Sequence, residues 1–428
     1  MLELPTDLKW VVVLSALTAY LALGEGQVSA QAATLPTPSG KHPIGKSSFH
    51  WVDAKHPDHT IESADDRRNI VVHLWYPAAR PSRKLASYLP GAEALASSSA
   101  ADALSGLFGP SWRSITANEL RTHAFDEAPV ARGKKLPILI FSSGGGAPVA
   151  AYTAQMEDLA SHGYVVAGIN HIFDLPGVVL PDGRMVTPEP GRRQSGSAES
   201  IEKEHAEMRA ADIRFVVDQL QYLNANAESI FHARLEVARL GVFGHSRGGR
   251  SAARACQLDA RIKACLNQDG NMGWQPFWLD ESGRSMNQPY MTLDHLDLDP
   301  PDEVFSKMGT TREQYVARRS ARQTEAREKL YRTVAGGSYH VTIRTPGVSH
   351  NSFLDIRHLG RPDGPGINSW PEDVRPATPH AHILTVISLW TRAFFDKTVR
   401  GDPKPLAALE RKRGSEVEVR RYDATTSR

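Results

Sequence analysis

The stretch Leu240-Gly-Val-Phe-Gly244-His-Ser246-Arg-Gly248-Gly249 decides how this chain is read. A short, β-favouring apolar run leads into Gly244-x-Ser246-x-Gly248, and a helix-compatible segment, Arg247 to Gln257, follows. This spacing matches a turn on which a strand passes straight into a helix with a serine at its tip. The tip residue takes a strained conformation, and side chains two positions either side would collide, so glycine is needed at both. The serine stands at a helix N-terminus, where free N–H groups and the helix dipole favour an oxyanion. Ser246 is therefore the candidate nucleophile. His245 points elsewhere along the turn and reads as structural.

Upstream, Pro137-Ile-Leu-Ile-Phe141 is a continuous apolar run, as expected of a strand buried on both faces. Gly144-Gly-Gly146 breaks it, Ala151 to Ser161 has helical spacing, and Tyr164 to Ile169 is the next buried strand. Strand, helix and strand at this spacing imply parallel pairing through a right-handed crossover. Ile70 to Tyr76 is an earlier strand ended by Pro77, and Glu204 to Leu223 is a long amphipathic helix. Downstream come strands at Ile262 to Leu266, Tyr290 to Leu293 and His340 to Ile343, then a helix over His382 to Asp396. The alternation predicts an α/β fold: a doubly wound, mostly parallel sheet with helices on both faces and long loop insertions. Residues 174–200 read as loop with a hairpin at Pro181-Asp182-Gly183, a candidate lid. Residues 78–130 resist assignment. Residues 31–46 read as a linker, 47–406 as one domain and the charged 407–428 as a frayed tail.

A serine hydroxyl is a weak nucleophile and needs a histidine to take its proton, and the histidine needs a carboxylate to fix its tautomer. On such a sheet the chain order is serine, acid, histidine, with reacting groups at the carboxyl ends of the strands. Two acids fit: Asp269, in Asn267-Gln-Asp-Gly270, and Asp294, in Thr292-Leu-Asp-His295. Both end a strand, and the residues alone do not choose between them. The histidine is clearer. Of 17 histidines, His350 is the one that directly follows the last strand, in Ser349-His-Asn351. The oxyanion should meet the N–H of Arg247 and one from the Gly144–Gly146 turn. Trp274, Phe277 and Trp278 follow Asp269 closely and line either a substrate cleft or the core.

The chain has 428 residues, 41% hydrophobic and 23% charged, which is ordinary for a globular protein. Its 50 basic and 48 acidic residues give a net charge of +2, with no basic excess to suggest nucleic acid. The uncharged run Trp10 to Leu23, followed by Val28-Ser-Ala30, resembles a secretory signal within residues 1–30, so a secreted or periplasmic protein is expected, with a retained anchor as the alternative. Two cysteines, Cys256 and Cys265, exclude a disulfide scaffold and a four-thiolate zinc site. They read first as buried thiols, with pairing as the other choice. Asp294, Asp297, Asp299 and Asp302 form an acidic run without the glycine and terminal glutamate of a calcium loop. No metal or cofactor is expected.

With these residues in place, the chain resembles the platelet-activating factor acetylhydrolase family of the plasma, isoform II type, from about Phe49 to Gly401. The anchors are Leu74-Trp-Tyr-Pro77, Ile140-Phe-Ser-Ser-Gly-Gly-Gly146, Leu159-Ala-Ser-His-Gly-Tyr164, Gly244-His-Ser-Arg-Gly-Gly249, and Thr342-Ile-Arg344 leading to Ser349-His350. The resemblance implies the α/β-hydrolase fold, Asp269 as the acid, and Gly145 and Arg247 as oxyanion donors. It further implies cleavage of short-acyl or phospholipid-like esters without a metal, with transient contact at a membrane surface. This chain departs from the family at Ser143, usually histidine, at Gly145, usually bulky, and at Arg247, usually apolar or aromatic. Chlorophyllases share Gly-His-Ser-Arg-Gly-Gly, so a bulkier ester is a second expectation. Acyl transfer to another alcohol and a non-catalytic binding protein on the same fold are the remaining alternatives.

Overall fold

The run Leu136–Ser142 forms the central strand of the sheet because every second side chain has an apolar layer to enter on each face. The computed structural model describes residues 34–57, 67–187, 198–270, 285–296, 311–314, 330–345, 348–359, 378–412 and 416–423, with the single positions 317, 328 and 414. In chain order the strands are β1 Ile44–Pro57, β2 Arg67–Pro77, β3 Leu85–Ser87, β4 Arg121–Asp126, β5 Leu136–Ser142, β6 Val165–His171, β7 Val178–Val179, β8 Met185–Val186, β9 Leu235–His245, β10 Ala264–Gln268, β11 Tyr290–His295, β12 Ser338–Ile343 and β13 Val417–Tyr422. The helices are α1 Ala92–Ala96, α2 Ala101–Phe108, α3 Trp112–Thr116, α4 Thr153–Ser161, α5 Ala198–Ala225, α6 Arg247–Leu258, α7 His380–Phe395 and α8 Lys404–Arg411.

Among the described residues the sheet order is β13-β12-β11-β10-β9-β5-β6-β2-β1-β4-β3, and the run from β12 to β6 is parallel throughout. Leu139 and Phe141 of β5 join Phe243, Leu266, Met156 and Phe395 on the face covered by α4 and α7. Ile138 and Ile140 join Val242, Ile213, Val216 and Ala252 on the face covered by α5 and α6. These two apolar layers are the expected doubly wound α/β arrangement, and the chain has the α/β-hydrolase fold.

The path leaves β5 toward β6 on one side and returns at β9 on the other, which opens a crevice at their carboxyl ends. Register sets the ends level: Ser142 pairs with Gly244, and Gln268 with His245. The turn after β5, the elbow after β9 and the loop after β10 therefore share one edge.

Several expectations need correction. The C-terminal segment carries α8 and β13, and β13 pairs antiparallel with β12, so it is an edge strand where a frayed tail was expected. The expected linker is already folded at its end: β1 starts at Ile44, and Leu35 is buried. The cysteines are not free thiols. Cys256 on α6 and Cys265 on β10 form a disulfide with Cα atoms 6.4 Å apart. Residues 78–130 hold β3, β4 and α1–α3. The β7–β8 hairpin forms as expected, but Val178 and Leu180 pack with Val71, Ile172 and Leu175, which fixes this part of the suggested lid. The signal-like run lies outside the described residues.

Candidate active site

Ser246 follows β9 and caps α6 with φ 55° and ψ −120°, a strained conformation for a residue with a Cβ. The strain is enforced by neighbours. A Cβ at Gly248 would stand 2.0 Å from the Ser142 carbonyl oxygen, and one at Gly244 would stand 2.4 Å from the Gly248 carbonyl carbon. The two glycines thus let the elbow press against the end of β5. The Ser246 N–H donates to the Gln268 carbonyl at 2.8 Å, tying Ser246 to the end of β10, which leads into Asp269.

Asp269 follows β10 with φ 52°, a second strained residue. Asn267 holds it there: its amide receives the Gly270 N–H at 2.9 Å and donates to the Gly270 carbonyl at 2.7 Å. One carboxylate oxygen of Asp269 accepts from His350 Nδ1 at 2.6 Å. The other accepts from His295 Nδ1 at 2.8 Å and from the His295 backbone N–H at 3.3 Å. An ionised carboxylate only accepts, so both rings carry their proton on Nδ1. Burial would raise the Asp269 carboxyl, but the hydrogen bond and charge of His295, and then those of His350, outweigh it and hold it well below the usual carboxylate range.

His350 opens a short 3₁₀ turn, His350–Phe353, which Ser349 and Ser352 cap reciprocally. Its ring lies 4.5 Å from the ring of His245, beside the elbow. With Nδ1 committed to Asp269, Nε2 is left for proton exchange, and the side chain is half exposed. His245 is structural, as expected. It stacks on Phe353 at 5.3 Å and bonds Tyr152 Oη through Nδ1 at 2.9 Å. Burial, and then the charge of His350, hold it well below the ordinary imidazole value, so it stays neutral.

In the Gly144–Gly146 turn the Gly144 N–H donates to Tyr152 Oη at 3.1 Å and the Gly146 N–H to the Asp174 carbonyl at 3.1 Å. The Gly145 N–H is uncommitted among the described residues. A Cβ at Gly145 would meet Arg247 Nη1 at 2.8 Å. The arginine side chain therefore fills space that a larger residue at 145 would take, which links two of the departures seen in the sequence.

Asp294, the other candidate acid, receives His340 Nε2 at 3.2 Å and not His350. His245, Asp269 and His350 place ligand-type atoms within 4.8 Å of one another. The Asp269 and His350 atoms, however, face each other at 2.6 Å, a proton-sharing distance with no room for an ion between them. Trp274, Phe277 and Trp278, and Asp297, Asp299 and Asp302, lie outside the described residues. Sequence reasoning missed His295, Asn267, Tyr152, Asp174 and Arg209. Arg209 alone left a signal: it falls on the buried stripe of α5, four positions before Ile213, where a charged residue is out of place.

Comparison with known proteins points to the same fold and to esterases. The family model described as platelet-activating factor acetylhydrolase, isoform II, matches residues 27–174, a stretch that holds the glycine turn and stops before Ser246. A protein of Arthroderma benhamiae named "Probable 1-alkyl-2-acetylglycerophosphocholine esterase" is 29% identical over 36% of this chain and 37% of its own length. The platelet-activating factor acetylhydrolase of Cavia porcellus is 25% identical over 33% of this chain and 36% of its own. The chain thus spans about a third of the length of these curated relatives. A solved ferulic acid esterase from Streptomyces cinnamoneus is similar over 90% of this chain and 98% of its own, with TM-score 0.65 and 26% identity.

Proposed function

We propose that this chain, a relative of the isoform II platelet-activating factor acetylhydrolases, is a serine esterase that cleaves carboxylic esters through an acyl-enzyme. The observation that carries the reading is the Asp269–His350 hydrogen bond of 2.6 Å beside the strained Ser246 elbow. Ser246 Oγ attacks the ester carbonyl while His350 Nε2 takes its proton. Asp269 keeps the other ring nitrogen protonated and balances the imidazolium that forms. The N–H groups of Gly145 and Arg247 receive the oxyanion. His350 then protonates the leaving alcohol, and water repeats the sequence to release the acid.

The acyl group is short or phospholipid-borne in the reading that the family favours. The extended likeness to a ferulic acid esterase supports a second reading, an aromatic acyl group. A panel of p-nitrophenyl esters from two to sixteen carbons, run beside a short-acyl phospholipid and ethyl ferulate, separates them. A steep decline beyond about four carbons together with phospholipid cleavage supports the first. Preferred turnover of ethyl ferulate supports the second. No ester cleavage at all would contradict both. Export fits the sequence run at Trp10 to Leu23 and is supported by the Cys256–Cys265 disulfide, since such bonds persist in oxidising compartments. Contact with a membrane surface belongs to the phospholipid reading.

A further inference from the structure

We infer that an ion chain running outward from the buried Arg209, Arg209–Asp174–Arg247, is the positioning device of the oxyanion hole. The inference rests on the esterase reading and adds two positioning residues to it, Arg209 and Asp174.

The argument starts from the turn. Three consecutive glycines have no side chains to restrain them, so their peptide planes must be held from outside. Across a planar trans peptide, the carbonyl of one residue and the N–H of the next point in opposite directions. Arg209, fully buried on α5, donates Nη1 to the Ser143 carbonyl, and its Nη2 faces the Gly144 carbonyl at 3.5 Å. The first contact turns the Gly144 N–H away from α5, and it is found on Tyr152 Oη at 3.1 Å. By the same rule, the second turns the Gly145 N–H away from α5. A Cβ built on the adjacent Gly144 would lie 3.6 Å from Ser246 Cβ, so this turn borders the nucleophile.

A lone guanidinium at this depth would be prohibitive without a counter-charge. Asp174 supplies it by pairing with Arg209 Nη2. The same carboxylate receives Arg247 Nη1 at 2.8 and 3.0 Å, and the Asp174 carbonyl takes the Gly146 N–H at 3.1 Å. One residue thus ties the glycine turn to the residue that carries the other oxyanion donor. Glu202 completes the chain, accepting Arg247 Nη2 at 2.8 Å and Arg250. Arg209, Arg247 and Arg250 thus share Asp174 and Glu202 in one network beside the glycine turn.

The test is steady-state hydrolysis of p-nitrophenyl acetate by Asp174→Asn, Arg209→Met and Arg209→Lys, with melting temperature and inhibition by an aryl trifluoromethyl ketone, which adds to a serine and leaves an oxyanion. Asp174→Asn and Arg209→Met should lower kcat by about 10²-fold with KM within about twofold, and weaken the ketone by a similar factor. Arg209→Lys, which keeps the charge but loses the planar fork, should fall between them and wild type. Unchanged kcat and ketone affinity with a lowered melting temperature would overturn the inference, leaving the chain a purely structural device. Where Arg209→Met does not fold, the near-isosteric Asp174→Asn and the charge-keeping Arg209→Lys decide. Ser246→Ala runs alongside. Full activity there sinks the esterase reading itself, whereas an inactive Ser246→Ala beside fully active Asp174 and Arg209 variants sinks the positioning role of the ion chain alone.

Discussion

Asp269→Asn tests the orienting carboxylate, and the structure lets its effect be worked out. The native carboxylate receives three N–H groups: His350 Nδ1 at 2.6 Å on one oxygen, and His295 Nδ1 at 2.8 Å with the His295 backbone N–H at 3.3 Å on the other. An amide of the same shape has one acceptor and one donor end. The His295 side offers two donors, one of them fixed in the backbone, so the amide oxygen settles there and its NH₂ faces His350. His350 then serves best with Nδ1 as acceptor and its proton on Nε2, the tautomer unable to accept from Ser246. The expected loss in kcat/KM is about 10⁴-fold, or about 5 kcal/mol, at near-native stability. The assay is p-nitrophenyl acetate hydrolysis from pH 5 to 9, normalised to active-site concentration. Because Asp269 is held well below the usual carboxylate range, it stays ionised across this span, and any acid limb belongs to another group. A loss under about tenfold, or a larger loss in Asp294→Asn, would refute the reasoning.

Three further outcomes follow from the same contacts. His295→Ala should cut kcat by about 10- to 10²-fold with little change in KM, because Asp269 loses one charge-assisted hydrogen bond while keeping His350; kinetics beside a melting curve check this, and an unchanged kcat would make His295 a bystander. Replacing both Cys256 and Cys265 by serine should cost about 2–3 kcal/mol in denaturant unfolding, from the short loop closed by nine positions of separation; equal stability of oxidised and doubly substituted protein would count against the disulfide. Burial lowers Lys46 to about 8 from 10.5, against the opposing charges of Glu157 and Asp126. Between those values the unfolded chain binds the extra proton, so stability should rise with pH by up to about 3 kcal/mol. The rise should be absent in Lys46→Met, and parallel stability–pH curves would contradict it.

The elbow was legible in the sequence because its demands are local: two glycines flank a strained serine, and the β5 carbonyls that crowd Gly244 and Gly248 only enforce what the spacing states. The buried strands were legible because both faces of β5 are apolar. The acid was not. Asp269 and Asp294 end neighbouring parallel strands, and what separates them is which one His350 reaches across the sheet edge. His295 escaped notice for the same reason, since its role depends on the register of β10 against β11. The cysteine pair needed the close packing of α6 on β10. The strand β13 was hidden by charge: Glu416-Val-Glu-Val-Arg-Arg-Tyr422 alternates as an edge strand does, but its solvated side reads as a tail. Arg209 shows the converse: its charge on an apolar helix stripe was a signal in the sequence that went unread.

The central claim is that Ser246 is the reacting alcohol, and the most direct measurement is intact-mass and peptide mapping of the protein after treatment with a fluorophosphonate. The account predicts one covalent adduct, on Ser246, formed in step with the loss of p-nitrophenyl acetate hydrolysis and absent in Ser246→Ala, which should retain no more than about 10⁻⁴ of the activity. An adduct on another residue, or wild-type turnover by Ser246→Ala, would contradict it.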